Sequence, residues 1–361
     1  DINNDINNDI NNDINNDINN DISIFVHFGL TSEDINSPAN TLMLKGFTQK
    51  VFIPLINDLL KILKKYILEW SKIPIISRTH GQVASPTFLG KEFLVYYERL
   101  VIQTRQLNNI QFSAKFGGTI GNFNSLHMAL PNIDWIDFAD KFLSILDLKR
   151  NQYTTQVDHN DQFISCLDNI KRINTIIIDL TQDIWLYISY NYFNKQVNDN
   201  EIGSSAMPHK INPIEFENCE GNLTLANSIL NFFSTKLPVS RLQRDLSNST
   251  VFRNIGYPLS LSIIGIKSII KGLNIITVNK TQINLDLNNN FQVISEGIQT
   301  RLKTLGIHDS YQQLLIITRQ SNNDNIKDNI HKYINSLDIP ESEKKYMLTI
   351  TPLNYTGIYK L

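Results

Sequence analysis

Residues 203–213 bring together the groups that a charge-creating reaction needs: two adjacent hydroxyls at Ser204 and Ser205, an ammonium at Lys210 and an amide at Asn212. Gly203 admits backbone angles closed to other residues, and Pro208 and Pro213 stiffen the run. A rigid loop offering a hydroxyl, backbone N–H groups and a cation suits chemistry in which negative charge develops. The same residues also read as a Ser-rich cap before a helix begun at Pro213.

Two other runs have comparable content. Arg78-Thr79-His80-Gly81-Gln82-Val83-Ala84-Ser85-Pro86 reads as a polar loop between two helices, where functional side chains concentrate. A histidine there can hold and donate a proton near neutral pH. Upstream, Thr31-Ser32-Glu33-Asp34 follows His27 and opens a helix as a capping box would, which accounts for every residue except His27. Arg241, Arg244 and Arg253 cluster locally, and a few placed guanidiniums suit a small anion better than a polymer. Surface ion pairing is the alternative reading of Arg244 and Arg253. Gly117-Gly118-Thr119-Ile120-Gly121-Asn122 lacks the Gly-Lys-Ser/Thr ending of a phosphate loop and reads as a tight turn.

These loops need long helices to hold them. Phe52, Leu55, Ile56, Leu59, Leu60, Leu63 and Ile67 follow the 3, 4, 7 spacing of one helix face, and Pro74 lies just beyond. Leu89, Phe93, Tyr96, Leu100 and Leu107 predict a second helix. Phe163 to Ile188 predicts a third, a fourth runs from near Pro213 to about Thr235, and a fifth covers roughly Leu246 to Ile276. Helices of this length imply an all-α fold built on a long central helical bundle. Shorter helices after Asn279 suggest a smaller C-terminal helical domain. The expected division is a repeat at 1–21, a central bundle at 22–278 that carries the motifs, and a C-terminal domain at 279–361. Apolar residues extend round more than one face of the long helices, so further helices from other subunits are expected to cover them.

Residues 1–20 are five copies of Asp-Ile-Asn-Asn, too polar to bury a core and expected to be disordered. They hold five of the 35 acidic residues and none of the 33 basic ones, so the formal charge of −2 becomes +3 over the rest of the chain. No dense Lys/Arg stripe marks a nucleic-acid surface, and no apolar run of about 20 residues marks a membrane span. Cys166 and Cys219 sit in helical patterns, which favours reduced thiols and a cytoplasmic setting over a disulfide. No Cys/His spacing fits zinc.

The motifs occur in the order and approximate spacing of the adenylosuccinate lyase family, in its bacterial-type branch, which belongs to the fumarase/aspartase superfamily. The 203–213 run resembles the superfamily signature and by itself would not separate fumarase or argininosuccinate lyase from this family. Arg78-Thr79-His80-Gly81-Gln82 and the Arg244-x4-Ser249-x3-Arg253 spacing do. Tyr153-Thr154-Thr155-Gln156 and the runs 236–241 and 243–246 extend the likeness, which covers nearly everything from Phe25 onward.

The resemblance implies elimination of fumarate from adenylosuccinate to give AMP, and from the matching succinyl-carboxamide ribotide, in purine nucleotide biosynthesis. It implies Ser204 as general base and His80 as general acid. Lys210 and Asn212 match residues that hold the succinyl carboxylate, and His27, Thr31, Ser32, Thr79 and Gln156 match other substrate-contacting positions. Arg244, Ser249 and Arg253 match the set that receives the nucleotide phosphate. It further implies no metal or organic cofactor and a homotetramer whose active sites are shared between subunits. Two departures stand out. The family's N-terminal domain, with an Arg-Tyr pair for the phosphate, is replaced by the Asp-Ile-Asn-Asn tract. Asp158-His159-Asn160-Asp161 stands where relatives have a Glu-Pro-His-Asp-like run, so Asn160 occupies a histidine position. Another fumarate-releasing lyase, or a catalytically impaired helical oligomer, are the alternative readings.

Overall fold

A computed structural model describes residues 25–196, 207, 210–320 and 323–361. The Asp-Ile-Asn-Asn tract, Ser204, Ser205 and His209 lie outside the described residues. The all-α expectation holds: three two-stranded ladders accompany long helices among the described residues.

The chain divides into two compact units. The first takes residues up to 54, with 105–172 and 226–260; the second takes 55–104, 173–225 and 261–361. In the first, helix Ser32–Phe47 starts where the sequence places its cap. The Thr31 N–H donates to Asp34 Oδ2 at 2.8 Å, and the Asp34 N–H donates back to the Thr31 carbonyl at 3.0 Å. A π-helical turn, Thr48–Phe52, joins it to helix Ile53–Glu69. Pro54 has no N–H to give the Lys50 carbonyl, and the wider turn pairs the Ile53 N–H with the Thr48 carbonyl instead. Leu44, Phe52, Leu107, Phe116, Leu126, Leu143, Phe163 and Leu167 bury this unit's core.

The second unit packs the long helices as the apolar spacing requires. Ile56, Leu59 and Leu63 of Ile53–Glu69 are fully buried, as are Ile173, Ile177 and Ile184 of Asp161–Ser189. Trp70 stacks on Tyr66 at 4.0 Å between centroids and meets Phe93 edge-on at 5.0 Å. Gly265 lets helix Gly256–Leu273 approach Ile214–Lys236: a Cβ there would lie 2.7 Å from the Leu223 side chain. Residues 291–347 bury a cluster of their own around Ile294, Leu302, Ile330 and Ile334.

Two expectations need correction. The segment Arg78–Pro86 is not a loop but most of an antiparallel hairpin, strands Pro74–Thr79 and Gln82–Phe88. The expected helix from Leu246 to Ile276 is two helices, Ser247–Phe252 and Gly256–Leu273, followed by strand Ile276–Val278. Gly256 and Pro258 form the first turn of the second piece, where glycine weakens helix continuation and proline needs no N–H partner. Cys166 and Cys219 are free and buried, each pushed up to about 12 by burial. No described helix is long and apolar enough to cross a membrane.

Candidate functional site

The described candidates fall in both units. His27, Thr31, Ser32, Gln156, Arg244, Ser249 and Arg253 belong to the first; Thr79, His80, Lys210 and Asn212 belong to the second.

In the first unit a cleft of about 390 Å³ is lined by Glu33, Asn36, Arg244, Ser249 and Arg253, among others. Its floor depends on the start of helix Ser32–Phe47. Arg244 Nη1 donates to Ser32 Oγ at 2.8 Å, and Nη2 lies 3.6 Å from Glu33 Oε1. Gln156 reaches Thr31 Oγ1 at 3.4 Å, and its N–H donates to the Gln243 carbonyl at 3.2 Å. Thr31, Ser32, Gln156 and Arg244, far apart in sequence, are thus directly linked. Ser249 Oγ donates to the Leu246 carbonyl at 2.9 Å, and the hydroxyl has to turn from that bond to donate to an incoming anion. Arg253 is exposed, and its side chain has no hydrogen bond or ion pair among the described residues. An unpaired guanidinium beside a second one makes an anion-receiving surface. His27, exposed at the head of the same segment, has a left-handed backbone with φ of 68°.

Asp34, the residue after the cleft-lining Glu33, makes an ion pair buried from solvent. Lys115 Nζ donates to Asp34 Oδ1 at 2.6 Å and to the Gly118 carbonyl at 2.6 Å, and both side chains are 0% exposed. Gly117 and Gly118 also donate to Asp34 Oδ1, at 2.8 and 3.2 Å. Asp34 therefore ties the glycine turn to the cap that presents Ser32. The turn is tight as expected, with φ of 75° at Gly118 and 86° at Gly121. At Gly121 a Cβ would sit 2.2 Å from the Thr154 carbonyl oxygen, so the turn fits against the Tyr153–Gln156 run only as glycine.

Asn160 is held by local bonds. Its φ is 61°, a conformation that asparagine tolerates. Its side chain donates to the Asp158 carbonyl at 3.0 Å, and its own carbonyl accepts the Ile164 N–H at 2.8 Å, starting helix Asp161–Ser189. Asn160 lines the cleft and supplies an amide there.

In the second unit Thr79 pairs with Gln82, so His80 and Gly81 are the two-residue turn of the hairpin. Their φ values, 53° and 74°, are both positive, as in a type I′ turn. His80 stands exposed at the tip. The strand leading to it is held by Arg78, whose Nη2 lies 2.7 Å from Asp286 Oδ2 and whose guanidinium sits 4.6 Å from the Tyr190 ring centroid. Lys210 is exposed, and its side chain has no partner among the described residues. The Asn212 carbonyl accepts from Lys195 Nζ at 3.2 Å, and Lys195 is also 3.0 Å from the buried Glu215 carboxylate. That pair fixes the backbone on which Lys210 and Asn212 are carried. Lys195 and Lys271 hold Glu215 below the usual carboxylate range against the desolvation that raises it.

Sequence reasoning assigned Glu33 only to a cap, yet it faces the cleft. Burial raises its carboxyl above the usual range, and Arg244 and then Lys115 pull it part of the way back. Its place next to Thr31-Ser32 was the available signal. Lys115 and Asp286 carried none, because their partners lie 81 and 208 residues away.

A family model described as lyase matches residues 1–226, and one described as adenylosuccinate lyase C-terminal matches 240–356. The adenylosuccinate lyase of Dictyostelium discoideum is 48% identical over 339 residues, covering 92% of this chain and 73% of the relative. That of Escherichia coli (strain K12) is 41% identical over 335 residues, covering 93% and 73%. Among solved structures, a 3-carboxy-cis,cis-muconate lactonizing enzyme from Pseudomonas putida superposes with a TM-score of 0.74 at 19% identity, covering 92% of this chain and 74% of that one, a likeness of fold. The chain belongs to the adenylosuccinate lyase family of the fumarase/aspartase superfamily.

Proposed function

We propose that this protein eliminates fumarate from adenylosuccinate to give AMP, and from the corresponding succinyl-carboxamide ribotide. The observation that carries the reading is the cleft that gathers Arg244, Ser249 and Arg253, far in sequence from Ser32 yet joined to it through Arg244. Two guanidiniums and a hydroxyl can meet most acceptor sites of a nucleotide phosphate.

In this reading Ser204 takes the proton from the succinyl carbon next to the carboxylate. The resulting doubly charged aci-carboxylate is stabilised by Lys210 and Asn212, a cation and a donor already in place. The carbon–nitrogen bond then breaks as the carbon–carbon double bond of fumarate forms. His80 gives its proton to the departing nitrogen. Thr31, Ser32, Thr79, Gln156 and His27 orient the nucleotide.

The exposed side chains on the long helices, such as Trp185, Leu186, Leu225 and Phe232, support a homotetramer that covers them and shares its active sites between subunits. A cytoplasmic setting accords with the buried free thiols.

The test is fumarate release by the purified protein from adenylosuccinate, the succinyl-carboxamide ribotide and argininosuccinate, with light scattering in parallel. Turnover of the two nucleotides alone, by a tetramer, is expected. Preference for argininosuccinate, or a tetramer that releases no fumarate from any of the three, overturns the assignment.

A further inference from the structure

The hairpin that ends in His80 has little to hold it by itself. It is an isolated two-stranded ladder, and such ladders are marginal in water without packing. Its register is broken between Ile76 and Arg78, directly before the turn. Ile75 and Ile76 bury its base, and Ser77 and Ser85 hydrogen-bond to the Ser85 carbonyl and to Glu296; nearest the turn the anchor is the Arg78 side chain, two residues before His80. The guanidinium donates to Asp286 Oδ2 at 2.7 Å and lies over Tyr190.

Asp286, on helix Lys280–Asn289, is committed on both carboxylate oxygens. Oδ2 accepts from Arg78 and from the Tyr192 hydroxyl; Oδ1 accepts from Asn290 Nδ2 at 3.0 Å. Asn290 also reaches the Asp286 backbone carbonyl at 2.8 Å. The aspartate is thus fixed from its own helix end and from Tyr192, and it offers Arg78 a single position. Arg78 and Asp286 are mostly buried, with side chains 24% and 19% exposed, so water competes weakly for the contact.

We propose that Asp286 is a positioning residue for proton transfer: through Arg78 it sets where the His80 imidazole stands relative to the departing nitrogen. The proposal rests on the reading of His80 as the proton donor. Asp286 touches no substrate in this scheme. Its effect falls on the chemical step and leaves nucleotide affinity alone.

The experiment is a double-mutant cycle. Asp286→Ala is expected to lower kcat about 10- to 100-fold with KM unchanged, the scale expected when a reacting group is misplaced by an ångström or so. Asp286→Asn keeps an acceptor for Arg78 and should recover part of the loss. In a His80→Asn background, which keeps the left-handed turn, Asp286→Ala should cost nothing further, because the group it positions is gone. Tyr192→Phe keeps the ring and loses one hydrogen bond to Asp286. It should show a smaller kcat loss with the same dependence on His80, and it decides the matter if Asp286→Ala does not fold. Equal losses with and without His80, a rise in KM in place of a fall in kcat, or parental kcat in all three variants overturns the proposal while the assignment of His80 stands. A His80→Asn protein that turns over like the parent overturns that assignment, and this proposal with it.

Discussion

Replacing Lys115 by methionine removes the cation that pairs with the buried Asp34 and keeps most of the side-chain volume. Lys115 and Asp34 are both fully buried, and the ammonium makes two contacts of 2.6 Å. Breaking a buried pair by deleting one partner costs roughly 3–5 kcal/mol, because the other charge stays behind. Asp34 would not be left bare. It keeps N–H donors from Thr31 and Gly117 at 2.8 Å and from Gly118 at 3.2 Å. The loss therefore belongs at the low end, about 3 kcal/mol, which at an m value of about 3 kcal/mol/M lowers the urea midpoint by about 1 M. Adding Asp34→Asn should return part of it, since the orphaned charge disappears while an oxygen acceptor remains. The assay is urea unfolding of the two single variants, the double variant and the parent, followed by near-UV circular dichroism. A Lys115→Met midpoint matching the parent, or strictly additive losses, would refute the argument that this pair holds the cap and the glycine turn together.

Ser204→Ala should leave the unfolding midpoint unchanged and lower kcat by about 10²- to 10⁴-fold, the usual cost of losing a general base; parental turnover would move the role to Ser205. His80→Asn should lower kcat without weakening nucleotide binding, since the amide can hydrogen-bond but cannot transfer a proton; a rise in KM alone would contradict it. Arg253→Gln removes a charge that supports nothing else among the described residues, so stability should hold while KM for adenylosuccinate rises about 10- to 150-fold, equivalent to about 1.5–3 kcal/mol. Glu33 has a carboxyl raised by burial, so the folded chain binds that proton more tightly than the unfolded one. Its contribution to stability is complete below the ordinary carboxylate range and is lost as pH climbs through the raised value. Glu33→Gln should thus be more stable than the parent at neutral pH, with the gap closing toward about pH 4; urea midpoints that differ equally at every pH would contradict the raised carboxyl.

The helices were legible where one face carried the pattern. Phe52 to Ile67 and Phe163 to Ile188 repeat at helical spacing because those residues bury one stripe, and the stripe is visible without a partner. The hairpin was not, because its signals are short and mixed. Ile75 and Ile76 are adjacent buried residues, Pro86 sits inside a strand, and the turn is His-Gly, not the usual Asn-Gly. The break between Phe252 and Gly256 was hidden for a different reason: apolar residues continue across it, so the period persists where the backbone does not. For the candidate site, motif spacing marked Thr31, Ser32, Gln156 and Arg244, and the structure links them. Lys115, which holds Asp34, and Asp286, which holds Arg78, act across 81 and 208 positions, and no local pattern encodes such contacts.

The left-handed turn at His80 also narrows what evolution can place there. Apart from glycine, the residues that enter this conformation with some ease are asparagine, aspartate and histidine. Asparagine carries no exchangeable acid, and aspartate has given up its proton at neutral pH. With His80 in its proposed role as proton donor, the backbone and the reaction leave one letter of the alphabet open. A drifting lineage cannot move off histidine through a chemically similar neighbour and keep both the turn and the rate. The same constraint bears on mutagenesis. Alanine at this position adds backbone strain to the chemical loss, whereas asparagine keeps the turn and isolates the missing proton.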